Sequence, residues 1–186
     1  MKLAQQHGAK LAAAVERALK KKAIAVSPAL RSARVEAVLL FQPLPPRKEL
    51  EADLSSKNVY RARKAKYLLE QLDADTVMEA YACPVQAVRL GNEVVLVAIG
   101  GEVVVDYSHK IKSLVDAPLV WVAGYSNNVF GYLPSRRVLL EGGYEAGGAM
   151  LYGRLPGPFR DDVEKRIMVN VDLVLESTRE TQKDQP

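Results

Sequence analysis

The fold of this chain is decided by residues 94–102, which read VVLVAIGGE. Six consecutive apolar residues are typical of a strand inside a sheet that is covered on both faces. Two glycines end the strand, and Glu102 follows them at the corner that leads into a helix. Ligand sites of α/β proteins lie at the carboxyl ends of such strands, so Glu102 is the first candidate site residue. The alternative is a carboxylate that the dipole of the following helix favours at its N-terminal turn.

The elements on both sides of this strand alternate between strand and helix. Residues 85–90 and 93–99 flank Gly91-Asn92, a dipeptide that predicts a β-hairpin. Apolar and β-branched runs predict further strands at 35–41 and 119–123. Apolar periodicity and proline positions predict helices over 2–22, 46–54, 58–72, 104–114 and 134–140, and a last helix from Pro158 onward. This alternation predicts an α/β fold, a mixed β-sheet with helices packed on it.

Length and composition predict a single domain. The chain has 186 residues, of which 48% are hydrophobic and 26% are charged, as in ordinary globular proteins. We expect residues 1–176 to form one α/β domain and the polar residues 177–186 to form a frayed tail. No apolar run is long enough to predict a transmembrane segment. The N-terminal residues lack the apolar region of a signal peptide, and the sequence does not reveal the compartment.

The net charge of +4 raises the question of an anionic partner, and the sequence contains two clusters of basic residues. Lys20-Lys21-Lys22 is typical of a helix C-terminus, and the basic residues of 61–66 are typical of the solvated face of a helix. Neither group is interleaved with the aromatic residues of a base-stacking surface, so we expect no nucleic-acid partner. A weaker alternative is that both groups bind an anionic membrane surface, which added salt would weaken steeply.

Cysteine and histidine provide no recognisable reactive centre in this sequence. Cys83 lies in a predicted loop without a histidine partner, which indicates an inert thiol. His7 and His109 have no metal-ligand spacing and are expected at the surface. No Walker A loop, nucleophile elbow, dinucleotide-binding motif or zinc-protease motif occurs.

Three tyrosines in the glycine-rich part of the chain form the second group of candidates. Tyr125, Tyr132 and Tyr144 each lie close to glycine, asparagine or serine, in a region predicted to be rich in turns. A tyrosine of this kind is equally well explained as a half-buried core residue whose hydroxyl is satisfied. The residues alone therefore predict an α/β domain with a site near 100–145, and no specific chemistry.

The motifs of this region resemble a known enzyme family. The segments that match are Gly100-Gly101-Glu102, Gly124-Tyr125-Ser126-Asn127 through Gly131-Tyr132, and Gly143-Tyr144-Glu145. They are similar to the C-terminal part of the catalytic domain of neutral/alkaline non-lysosomal ceramidases and of bacterial ceramidase-like proteins. The resemblance extends from the first helix to residues 155–159. It implies that the chain is the C-terminal portion of a larger α/β catalytic domain.

The same resemblance implies a zinc-dependent amidohydrolase. In that family two histidines, a glutamate and a tyrosine hold a zinc ion, and a water activated by the metal hydrolyses an N-acyl amide. Glu102 and Tyr132 match the glutamate and tyrosine ligands, and Tyr144 matches a catalytic tyrosine that contacts the substrate carbonyl. Oxygen ligands of this type suit zinc, and a phenol is a suitable donor to a developing oxyanion. The implied substrate is a lipid-like amide such as the sphingolipid ceramide.

The chain departs from the family in its missing histidines. Both histidine ligands of the family lie in the N-terminal half of the catalytic domain, and His7 and His109 do not match them. We therefore expect an incomplete Zn²⁺ site and an inactive isolated chain, because zinc sites need three or four protein ligands. The expected partner is the missing N-terminal half, whether the chain is a truncated gene product, a split subunit or a piece of one enzyme. The alternative is a non-catalytic remnant or binding module that keeps the fold without the zinc site.

Overall fold

The computed structural model describes residues 2–179 and is built around a four-stranded sheet with the strand order β1-β2-β3-β5. These strands are β1 (Leu30–Leu40), β2 (Ala80–Leu90), β3 (Val94–Ile99) and β5 (Leu119–Ala123). Strand β2 pairs antiparallel with β1 and β3, and β5 pairs parallel with β3. A second, two-stranded parallel ladder joins β4 (Glu102–Val103) to β6 (Tyr132–Leu133). The predicted mixed α/β fold is confirmed.

Six α-helices occur within residues 2–179. They are α1 (Lys2–Leu19), α2 (Arg47–Asp53), α3 (Val59–Asp73), α4 (Val105–Leu114), α5 (Arg136–Glu141) and α6 (Val163–Ser177), with a 3₁₀ turn at Gly148–Tyr152. The main core forms where α4 and α6 cover one face of the sheet, and Ile111, Ile167 and Val97 are fully buried there. A smaller apolar cluster joins α2 to α3 around Leu50 and Leu68.

The opposite face of the sheet is largely exposed. The parallel register of β3 and β5 pairs Leu96 with Trp121, and the alternation of side chains along a strand places both on this face. Trp121 is 64% exposed, and Leu119 on the same strand face is also exposed. The prediction that β3 is covered on both faces therefore holds for Val97 and not for Leu96. We call this surface the open sheet face.

Helix α1 confirms the amphipathic helix predicted at 2–22, although it ends at Leu19. None of its residues is buried, and its apolar residues Leu11 and Val15 are exposed. The described part of the chain contains no helix that is both long and apolar enough to cross a membrane.

Cys83 lies in β2, which corrects its placement in a loop. The β1–β2 ladder runs in register from Leu30 and Leu90 to Leu40 and Ala80, which extends both strands beyond their predicted limits. Cys83 is fully buried there, and burial raises the pKa of its thiol to about 12. Such a thiol is a poor nucleophile, in agreement with the predicted inert role.

Helix α6 begins at Val163 rather than at Pro158. Phe159 forms an isolated β-bridge with Phe41, and their rings stack with centroids 4.9 Å apart, so this segment is extended. At the other end, Ser177 is the last residue of α6 and Thr178 is fully buried. Positions 180–186 of the predicted tail lie outside the described residues.

Candidate functional site

Glu102 lies in the short strand β4 and not in the first turn of a helix. Helix α4 begins at Val105, and the acidic residue of its first turn is Asp106. Residues 102 and 103 are held in an extended conformation because Glu102 pairs with Tyr132 in the β4–β6 ladder. This corrects the predicted position of Glu102, and the dipole of α4 does not explain why a carboxylate is there.

A glycine corner fixes the direction in which Glu102 leaves the sheet. Gly101 has a φ of +77°, and an added Cβ atom would lie 2.9 Å from the carbonyl oxygen of Gly131. The Gly101 amide donates to the carbonyl of Asn128, and the Glu102 amide donates to that of Gly131, both at 2.7 Å. The Tyr125 amide donates in turn to the Gly101 carbonyl, also at 2.7 Å. Three backbone hydrogen bonds from the loop after β5 therefore hold residues 101 and 102 in place.

The Glu102 carboxylate raises the pKa of both Tyr125 and Tyr132. The hydrogen-bonding influence of this carboxylate on the Tyr125 phenol is the main cause there, and it raises the pKa of Tyr125 to about 12. The pKa of Tyr132 is raised for the same main reason, because a carboxylate acceptor stabilises the protonated phenol. Both tyrosines are therefore neutral donors at physiological pH.

Tyr125 is held in a left-handed backbone conformation, with a φ of +54°. Such a conformation is rare for a bulky residue and costs about 1–3 kcal/mol, which the surrounding contacts must offset. Strain of this kind is concentrated at functional sites. The sequence marked Tyr125 as a candidate without assigning it a role, and its signal was the turn-rich segment that follows Gly124. The structure adds Tyr125 to the site as a second phenol whose pKa the Glu102 carboxylate raises.

Tyr144 packs against Tyr132. The two ring centroids lie 5.6 Å apart and the rings meet edge to face at 72°. Tyr144 is about half exposed, and the charge of the adjacent Glu145 contributes to the raised pKa of Tyr132. The three residues predicted for the site, Glu102, Tyr132 and Tyr144, are thus brought together by the fold. Their chemical roles remain predictions.

Glu102 and Tyr132 are the two oxygen donors that the resemblance assigns to a zinc ion. They are register partners in the β4–β6 ladder, and the Glu102 carboxylate raises the pKa of the Tyr132 phenol, so the two residues are neighbours. Residues 2–179 contain no group of three or more histidine, cysteine, aspartate or glutamate side chains that could hold a metal. His7 in α1 and His109 in α4 are both exposed. Of the four zinc ligands that the resemblance implies, the described residues therefore offer candidates for two, Glu102 and Tyr132.

A network of hydrogen bonds connects helices α4 and α5, which follow the two strands of the site. The Tyr107 hydroxyl donates to the Pro134 carbonyl at 3.0 Å, and the Ser135 hydroxyl donates to the Asp106 carboxylate at 2.5 Å. Hydrogen bonds from Arg137 and from Ser135 lower the pKa of Asp106. Since α4 follows Glu102 and α5 follows Tyr132, these bonds tie together the elements that come after the two strands of the β4–β6 ladder. Ser135 therefore has a structural role here.

Comparison with known proteins adds no relative to this description. No protein-family model, no curated protein and no solved structure matches the chain. The resemblance to the neutral ceramidases therefore depends on the motifs of residues 100–145. The geometry of Glu102, Tyr132 and Tyr144 is the structural observation that bears on it.

Proposed function

We propose that this chain supplies the carboxylate and phenol half of a zinc-dependent amidohydrolase site that acts on an N-acyl amide, with a lipid-like amide as the substrate class. The observation that supports this proposal is the pairing of Glu102 with Tyr132 in the β4–β6 ladder, with the Tyr144 ring against Tyr132. These are the residues to which the resemblance assigns two metal ligands and an oxyanion donor.

Completion of the site requires ligands from elsewhere. Zinc, when bound, acts as a Lewis acid that lowers the pKa of a water molecule. Glu102 and Tyr132 would supply two of the protein ligands, whereas a catalytic site needs at least three. The two histidines of the sequence lie exposed on helices α1 and α4. We therefore propose that a histidine-bearing segment outside these 186 residues completes the site.

Two tyrosines have roles that do not depend on direct metal contact. Tyr144 is about half exposed, and its hydroxyl would donate to the substrate carbonyl as negative charge develops. Tyr125 also interacts with the Glu102 carboxylate, which raises its pKa, and it would so fix the orientation of that carboxylate. Tyr144 would therefore act on the substrate, and Tyr125 would position a ligand.

The open sheet face is the surface that we propose for the histidine-bearing segment. Strands β3 and β5 end at Ile99 and Ala123, immediately before the segments that carry Glu102 and Tyr125. A segment that covers this face would therefore extend directly to the site. The exposed apolar residues Trp121 and Leu119 would be buried by it, and exposed apolar patches are typical of interaction surfaces.

A binding module without zinc is the second candidate. The observation that favours it is that the Glu102 carboxylate already interacts with two phenols, Tyr125 and Tyr132, whose pKa values it raises. The two candidates make different predictions for catalysis, so one reconstitution experiment separates them.

The experiment combines the purified chain with a histidine-bearing polypeptide encoded directly upstream and measures zinc-dependent hydrolysis of a fluorogenic N-acyl amide. We expect activity only in the mixture, and a loss of about 100-fold in kcat for Tyr144→Phe, the typical effect of removing one oxyanion donor. Glu102→Gln should also abolish activity, whereas the exposed His109→Gln serves as the control and should be active. A tight complex without hydrolysis would favour the binding module, and full activity of Glu102→Gln would contradict the proposed ligand.

A further inference from the structure

A row of tyrosines leads away from Glu102 across the surface. The ring of Tyr144 contacts Tyr132 at a centroid distance of 5.6 Å and Tyr152 at 6.3 Å. Tyr152 in turn meets Tyr60 edge to face, with centroids 4.8 Å apart. Tyr144, Tyr152 and Tyr60 are each about half exposed. We call Tyr132, Tyr144, Tyr152 and Tyr60 the tyrosine row.

The far end of the tyrosine row lines a pocket of about 580 Å³ between α3 and residues 151–154. Tyr60 and Tyr152 contribute to its wall together with Arg63 and Arg154. Its volume lies in the range of small-molecule sites. The pocket therefore combines exposed aromatic rings with cationic side chains. The tyrosine row leads from this pocket to Tyr132, which is the ladder partner of Glu102.

The positive charge of this pocket is largely uncompensated. Arg63 and Arg154 are exposed, and neither guanidinium group has a hydrogen bond or an ion pair with any residue of 2–179. Among residues 2–179, Glu70 is the only acidic residue that lines the pocket. Its carboxylate oxygen lies 3.9 Å from the ammonium nitrogen of Lys66. Two free guanidinium groups beside aromatic rings are suited to bind an anion, because guanidinium binds phosphate and carboxylate oxygens in pairs.

The pocket walls are joined by Lys64. Its ammonium donates to the carbonyl of Gly153 at 3.2 Å and also to that of Leu155, which ties residues 153–155 to α3. Burial lowers the pKa of Lys64 to about 8. Residues 61–66 therefore do not form a simple solvated face as the sequence suggested, because the fold places Tyr60 and Tyr152 beside their cationic side chains.

We propose that this pocket binds an anionic group, such as a phosphate, sulfonate or carboxylate, between Arg63 and Arg154, with the ligand's apolar or planar part along the tyrosine row. The substrate class would then be an anionic N-acyl amide whose charged group lies away from the reacting carbonyl. The assignment of this group to the substrate depends on the proposed function, whereas the anion binding itself does not.

The binding test uses two probes that share one ring system, 1-naphthyl phosphate and 1-naphthol, titrated into the full chain in a calorimeter. We expect the phosphate to bind at least tenfold more tightly than the alcohol. Arg63→Ala/Arg154→Ala should remove that difference without changing the affinity for 1-naphthol. Tyr152→Ala should weaken both probes, because both lose a stacking partner.

A charge-matched control separates local binding from general attraction to a basic protein. Lys48→Ala/Lys112→Ala removes two exposed cations on α2 and α4, and it should leave both affinities unchanged. Equal affinities of the wild-type chain for the two probes would overturn the proposal. An equal loss of phosphate affinity in both double variants would also overturn it.

The place of the anion in the substrate is tested separately in the completed enzyme. For an anionic amide, Arg63→Ala/Arg154→Ala should lower kcat/KM at least tenfold relative to a neutral amide with the same acyl group. Equal effects on the two amides would show that the pocket does not bind the charged group of the substrate. This result would not contradict the proposed hydrolysis. Conversely, an inactive complex would contradict the hydrolysis and leave the naphthyl phosphate result unaffected.

Discussion

Glu102 and Tyr132 are direct partners in the parallel β4–β6 ladder, and the Glu102 carboxylate raises the pKa of the Tyr132 phenol. The ladder is formed by strands of only two residues each, so it cannot hold the pair by its own hydrogen bonds alone. The glycine corner at Gly101 and the loop after β5 supply the remaining constraints. The geometry of the site therefore depends on contacts that can each be tested.

The glycine corner predicts a specific difference between two alanine substitutions. Gly101 and Gly142 both have a φ of +77°, but only at Gly101 would an added Cβ meet neighbouring atoms. Gly142→Ala should cost about 1–3 kcal/mol from its backbone conformation alone, because its φ of 77° and ψ of −160° lie in a region essentially limited to glycine. Gly101→Ala should cost about 1–3 kcal/mol more, because it also overpacks the corner. Urea unfolding of both variants measures the difference, and equal losses would contradict the close approach of Gly131.

The Ser135 hydroxyl predicts a local loss of stability. It caps α5 by accepting from the Val138 amide, and it donates to the buried side of Asp106. Ser135→Ala should destabilise the protein by about 1 kcal/mol or more, since a helix cap and a partner of a carboxylate are lost together. Ser113→Ala, which removes an exposed hydroxyl from α4, is the control and should change stability by less than about 0.5 kcal/mol. Thermal unfolding of the two variants tests this, and equal effects would argue against the cap.

The half-buried amine of Lys64 predicts a rise of stability with pH. Its pKa falls from the ordinary 10.5 to about 8 on folding, so the unfolded chain binds more protons between these values. The contribution of Lys64 to stability therefore increases as the pH rises from about 8 towards 10.5. The unfolding free energy of the wild type minus that of Lys64→Met should become more positive as the pH rises through this window. Lys66→Met controls for the loss of a lysine from α3, and a pH-independent difference for Lys64→Met would contradict the burial of its amine.

The single tryptophan provides a reporter for the open sheet face. Trp121 is 64% exposed, so iodide should quench its fluorescence efficiently in the isolated chain. Addition of the histidine-bearing segment should shift the emission to shorter wavelength and protect it from iodide. Glu102→Gln should show the same protection, because docking on this face does not require the metal ligands. Restored hydrolysis without any change at Trp121 would place the partner elsewhere.

The main elements of the fold could be predicted from local patterns. The apolar run of β3, the hairpin at Gly91 and the periodicity of α3 are properties of neighbouring residues, and the structure confirms them. The limits of β1 and β2 could not be predicted in the same way. Their additional residues include the polar Arg31 and Arg34, and pairing along the full ladder, rather than β-propensity, holds them extended.

The residues of the candidate site could be predicted from the sequence, but the secondary structure that carries them could not. The motifs identified Glu102, Tyr132 and Tyr144, but strands of two residues are too short to show a period of two. The placement of Glu102 in a helix was therefore wrong. The tyrosine row brings Tyr60 of α3 to Tyr152 of a distant 3₁₀ turn, a contact that only the tertiary fold creates.

The most direct test of the central claim is anomalous diffraction from crystals of this chain soaked in zinc. The proposal predicts a zinc peak about 2.0–2.2 Å from one carboxylate oxygen of Glu102 and from the phenol oxygen of Tyr132. The crystals should show no such peak in Glu102→Gln. Zinc bound only at His7 or His109, or a Glu102–Tyr132 hydrogen bond that persists at saturating zinc, would contradict the claim that these two side chains form half of a metal site.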